Sequence, residues 1–99
     1  MDKDPLEVIR RLDPDFFDSI ARNREYAFGD GALPAKVKYL IAMSLDAAHG
    51  AAAGVEALAR QAVKNGASKE EVLEALRVAD FISGVGSVYT ASFGLDKVL

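Results

Sequence analysis

Between Asn65 and Glu71 the chain carries a helix stop and a helix start back to back. Asn65-Gly66 is a C-terminal stop, because glycine adopts the left-handed conformation that closes a helix without a Cβ penalty. Ser68-Lys69-Glu70-Glu71 has the spacing of a capping box, in which the Ser68 hydroxyl and the Glu71 carboxylate satisfy amides of the first turn. Two helices must therefore meet across a very short turn. The rest of the chain is punctuated in the same way.

Asp4 and Pro5 stand where a helix begins, with Leu6, Ile9 and Leu12 on its apolar side. Asp13-Pro14 interrupts that run, since a residue preceding proline avoids the helical region. Asp13 then caps a second helix through Phe16, Phe17, Ile20, Ala21 and Tyr26, which stops at Gly29 and Gly31. Pro34 opens a third helix, expected to face inward through Val37, Leu40, Ile41, Leu45 and Ala48 and to end or kink at Gly50. A fourth, from about Ala51 to Asn65, carries Val55, Leu58, Ala62 and Val63. The fifth carries Val72, Leu73, Leu76, Ala79 and Phe81, and meets a glycine break at Gly84 and Gly86. A last segment holds Val88, Tyr89 and Phe93. No stretch of strict alternation competes with the helical period. The expectation is an all-α, compact helical domain of five to six helices, a single unit over residues 1–99 with no internal repeat or linker.

Ninety-nine residues bury only about two-thirds of the surface of the unfolded chain. With 51% of the residues apolar, many of them alanine, such a chain has more apolar face than a monomer of this size needs. A homo-oligomer is expected. The formal charge is −3, from 12 basic and 15 acidic residues interspersed along the chain, so no basic stripe points to nucleic acid. The start, MDKDPLEVIRR, has no apolar core and does not read as a secretory signal. The least polar segment, Leu40–Val55, contains Asp46 and His49 and is too short to span a bilayer. A cytoplasmic location and no membrane partner are expected. There is no cysteine, which removes disulfides, thiolate metal sites and thiol nucleophiles together. One histidine with scattered carboxylates gives no metal-ligand spacing, and no metal or other cofactor is expected.

The chain from Pro34 to Tyr89 resembles the carboxymuconolactone decarboxylase and alkylhydroperoxidase D superfamily. LPAKVKYLIAMSLDAAHG resembles that family's helix ending in glycine. ALARQAVKNGASKEEVLEALRVA resembles the helix, stop and capped helix that follow, and FISGVGSVYTA the glycine-broken end. The resemblance implies an all-helical fold assembled as trimers or hexamers, and one of two chemistries. The peroxidase branch uses a Cys-x-x-Cys pair with an upstream glutamate and a downstream histidine. The decarboxylase branch acts on a carboxylated lactone and keeps a histidine in the fourth helix. Aligned on Gly50 and Gly66, Tyr39 stands in place of the glutamate, Ala51 and Gly54 in place of the cysteines, and Leu58 in place of the histidine. Thiol peroxidase chemistry is thereby excluded, because it needs a thiolate and a resolving thiol.

His49 is the sole imidazole, titrating in the range useful to a proton donor or acceptor. Asp46, one helical turn earlier, is a candidate to orient it. The small residues Ala51–Gly54 could present free amides of a helix start to a substrate carboxylate. Tyr39 and Lys36 would border that cavity, and Glu56 is a further candidate for ligand contact. Each has an alternative. His49 can simply compensate a helix C-terminus, Asp46 can be structural, the small residues can be a close packing surface, and Glu56–Arg60 can be a surface pair. Asp80 is either a structural hydrogen-bonding group or a cavity lining. Two functions remain open: a lyase acting on a small carboxylated compound through His49 and Asp46, or a non-catalytic oligomeric relative that binds a small ligand or a partner protein.

Overall fold

In the computed structural model, which describes residues 4–99, the chain forms six helices and, among the described residues, no strand. Met1–Lys3, the beginning of the charged start discussed above, lie outside the described residues. The helices are α1 (Glu7–Leu12), α2 (Pro14–Phe28), α3 (Ala35–Ala48), α4 (Ala52–Lys64), α5 (Lys69–Ser83) and α6 (Gly86–Leu95).

The punctuation acts as its chemistry requires. Asp13 accepts from the Phe16 amide at 3.1 Å and caps α2. His49 and Gly50 close α3 in a Schellman motif: the Ala51 amide bonds the Asp46 carbonyl, the Gly50 amide bonds the Ala47 carbonyl, and Gly50 has φ +80°. Asn65-Gly66 closes α4 the same way, with Gly66 at φ +100° and Ala67 buried behind it. The capping box of α5 is complete, and Lys36 of α3 adds an ion pair to Glu71 at 3.0 Å. The start of α5 is thus tied to the first turn of α3.

The Ser68 amide, and after it Lys36, hold the Glu71 carboxyl below its ordinary value. A depressed carboxylate stabilises the fold above the unfolded-state pKa, and that contribution disappears as pH falls through the folded-state value. The stability difference between the wild type and Glu71→Gln is therefore expected to be present at neutral pH. It should shrink between about pH 5 and pH 3. Thermal melts of both proteins across that range check the sign, and a difference that grows in acid would contradict it.

Helices α3 to α6 enclose one apolar cluster, with Met43, Val55 and Val72 fully buried. Helix α4 lies against α3 and α6, and α5 against α3 and α6. Val55 and Ala62 of α4 and Val72, Leu76 and Ala79 of α5 are in the core as expected, but other positions differ. On α3 the buried residues are Met43 and Ala47, while Ile41 and Leu45 are exposed. Val63 on α4, and Leu73 and Phe81 on α5, also face outward, Phe81 with 87% of its surface free. On α6 the core takes Ser87, Ala91, Gly94 and Leu95, leaving Tyr89 (70%) and Phe93 (73%) outside. The reason is the close approach of α6 to α4. A Cβ on Gly94 would come within 2.7 Å of the Glu56 amide nitrogen and 2.9 Å of the Ala52 carbonyl. Only small residues fit at that distance, so the aromatics are turned out.

Helices α1 and α2 stand apart. Neither buries any residue, α1 packs only on α2, and α2 reaches only α1 and α3. Leu12, expected on the inner side of α1, is exposed. Two contacts fix α2 to the body: Phe28 stacks on Tyr39 with ring centroids 4.7 Å apart, and the Lys38 ammonium donates to the Gly29 carbonyl at 2.6 Å.

Candidate functional site

The turn between α3 and α4 brings Asp46, His49, Ala51 and Gly54 into one neighbourhood, because the Schellman closure folds the end of α3 directly onto the start of α4. His49 occupies the C-cap of α3 and is exposed. No hydrogen bond or ion pair among the described residues links its imidazole to Asp46. The Asp46 side chain is instead half-buried against Gly54, where a Cβ would overlap its Oδ2. The glycine is there because the carboxylate needs its space. The first amides of α4, expected to receive a substrate anion, thus already have a carboxylate of the chain beside them.

The remaining expected residues serve packing and ion pairing. Tyr39 is half-buried, stacked on Phe28 and packed against the core. Glu56 binds Arg60 at 2.9 Å and lies 3.7 Å from Lys97, so it connects α4 to the segment after α6. Lys36 turns toward Glu71 and not toward the α3–α4 turn. Of the GAAAG stretch, Ala52 lies at the close α4–α6 crossing, where its carbonyl faces Gly94. Asp80 borders a hollow of about 210 Å³ between α5 and α6, with Leu73, Arg77 and Val88 around it. No group of three or more His, Cys, Asp or Glu among the described residues is placed to hold a metal ion. No helix among them is long and apolar enough to cross a membrane.

The larger concavity was not expected from the sequence. It is an open groove of about 400 Å³ between α3 and α5. Val37, Ile41, Leu45 and Ala48 form one wall, and Ala75, Val78 and Ile82 the other. Ser44 and Ser83 are its polar side chains. The Ser44 hydroxyl donates to the Leu40 carbonyl at 2.9 Å and lies 3.4 Å from the Ala75 carbonyl, so its proton is committed within the fold. No titratable side chain among the described residues lines the groove. It was legible as a second stripe, the residues of α3 and α5 at helical spacing left over once the buried set is removed, but the sequence could not say which stripe faces the core.

Comparison with known proteins agrees with the architecture. A carboxymuconolactone decarboxylase family protein from Legionella pneumophila superposes with a TM-score of 0.85 at 32% identity, covering 92% of this chain and 81% of that one. A candidate carboxymuconolactone decarboxylase from Burkholderia xenovorans LB400 shares the fold, with a TM-score of 0.84 at 23% identity over 96% of this chain and 78% of that one. No curated protein matches the sequence. Residues 14–95 match the family itself, which includes α2 as well as the body. This chain, with no cysteine, belongs to the carboxymuconolactone decarboxylase family.

Proposed function

We propose that this chain is a homo-oligomeric, cytoplasmic member of the family that acts as a binding scaffold and not as a lyase. The observation that carries this reading is the α3–α5 groove, an apolar concavity with no titratable side chain in its walls. Decarboxylation needs a group to hold the carboxylate and another to protonate the carbon that loses carbon dioxide, both within reach of one bound molecule. His49 is exposed, lines neither of the two concavities described above, and has no hydrogen-bond or ion-pair partner among the described residues. A carboxylate brought to the amides of α4 would meet the negative charge of Asp46, and like charges at about 4 Å repel by roughly 1–4 kcal/mol. The groove instead suits an apolar surface, and trimers or hexamers supply one.

A second reading is favoured by one feature. Asp46 is half-buried without a hydrogen-bond partner among the described residues, one turn from the sole histidine. A neighbouring subunit laid over the α3–α4 turn would enclose both. In that reading a small carboxylated compound binds beside Ala51 and Gly54, His49 moves the proton, Asp46 orients the imidazole, and Tyr39 and Glu56 border the site.

Two measurements separate the readings. Incubation with a carboxylated lactone is expected to release no carbon dioxide above the uncatalysed rate. Release that is lost in His49→Ala would establish the lyase. Light scattering at micromolar concentration is expected to give a multiple of the chain mass, and a stable monomer would remove the scaffold reading.

A further inference from the structure

The molecule has too much surface for its mass. It exposes 7018 Å², whereas a compact monomer of 10.6 kDa exposes about 5,500 Å². Its radius of gyration is 14.3 Å, against about 13 Å for a compact chain of this length. The excess of roughly 1,500 Å² is close to two faces of a standard interface, at about 800 Å² for each partner.

Two features supply that excess, and they are complementary. One is the arm made of α1 and α2, no residue of which is fully buried in its own chain. On α2 Phe17, Ile20, Ala21 and Phe28 are half-buried, and Phe16 and Ala27, on the flank that adjoins Ile20, are exposed. Val8 and Leu12 of α1 are exposed as well. The other feature is the α3–α5 groove, whose walls are apolar and whose outer rim carries the exposed Val78 and Ile82. The lengths agree. From Phe16 to Phe28 a helix extends about 18 Å, and from Val37 to Ala48 about 17 Å. The Phe28–Tyr39 stack and the Lys38–Gly29 hydrogen bond hold the arm away from the groove of its own chain, so the same chain cannot use both.

We infer that α2 of one copy docks in the α3–α5 groove of a second copy of this chain. Each copy gives one face and receives one, which accounts for an excess of two faces. The contact joins two different surfaces, so it closes either reciprocally, as in an arm exchange, or around a ring. The inference rests on the oligomeric scaffold reading and names the surfaces that build it.

The absence of cysteine makes the test clean. Ile20→Cys, at the middle of α2, and Val78→Cys, on the rim of the groove, are placed in separately tagged chains, co-expressed, and treated with a short thiol cross-linker. The expected product is a covalent dimer carrying both tags. Cross-linking only between two Val78→Cys chains would mean that α5 faces its own copy, and would overturn the inference. An internal link in a chain carrying both cysteines would mean that the arm folds back, and would overturn it equally. Ile82→Asp supplies an independent readout. It should reduce the mass in light scattering to that of smaller species while helical circular dichroism is kept. If the wild type is an oligomer and Ile82→Asp leaves its mass unchanged, the docking inference fails alone. If the wild type is a monomer, the scaffold reading fails with it.

Discussion

Truncating Met43 to alanine is expected to remove about 2–5 kcal/mol of stability, the range for emptying a well-packed core position. Met43 is fully buried, on α3 where it packs in the cluster shared with α4, α5 and α6. A chain of this size has about 5–15 kcal/mol in total, so the variant should be close to the limit of folding. The melting temperature should fall by about 8–40 °C. Phe81→Ala is the contrasting case. The phenyl group is larger than the thioether chain it is compared with, but 87% of the residue's surface is free. The chain's own fold should tolerate that loss. Any effect of Phe81→Ala on the melt should track protein concentration, because only another molecule can cover the ring. Equal losses at high dilution for the two variants would show that the packing described here is wrong.

Gly94→Ala is expected to cost about 1–3 kcal/mol, the usual penalty of forcing a methyl group into a packed site. What the new Cβ meets is backbone, the Glu56 amide and the Ala52 carbonyl, and neither can rotate away. Helices α4 and α6 would have to separate, disturbing Ala91 and Val55 in the core. Gly86→Ala is the control on the same helix. A Cβ there has nothing within 4 Å, and alanine is the better helix former. Chemical denaturation of both variants measures the difference, and Gly94→Ala unfolding at the same midpoint as Gly86→Ala would refute the tight crossing. Gly54→Ala lies between them. Its Cβ would meet the Asp46 side chain, which can turn aside, so Asp46→Ala in the same chain should restore most of the loss.

The candidate site was only partly legible. Asp46, His49, Ala51 and Gly54 could be grouped from spacing, because a helix that ends at Gly50 must hand its last turn to the start of the next one. What those residues face could not be read. His49 as a helix cap and His49 as a proton carrier have the same sequence. So do Gly54 as an approach for a substrate and Gly54 as room for Asp46. The same limit applied to the apolar faces. Tyr89 and Phe93 are the largest side chains of α6, and the segment was read as apolar through Val88, Tyr89 and Phe93. The distance between α4 and α6 gave the core to Ala91 and Gly94 instead.

By itself the sequence determined where most of the helices begin and end, because capping groups, proline and left-handed glycine act on the backbone within a turn of their own position; α1 is the exception, beginning at Glu7 behind Leu6 and not at the Asp4-Pro5 signal. It also determined that these 99 residues supply no thiol, since that depends only on which atoms they contain. The tertiary structure alone decided which stripe of each helix is inside, that an apolar groove of about 400 Å³ opens between α3 and α5, and that α1 and α2 stand clear of the core. Those outcomes depend on how closely whole helices approach one another, and that distance is set by side chains far apart in the chain acting together.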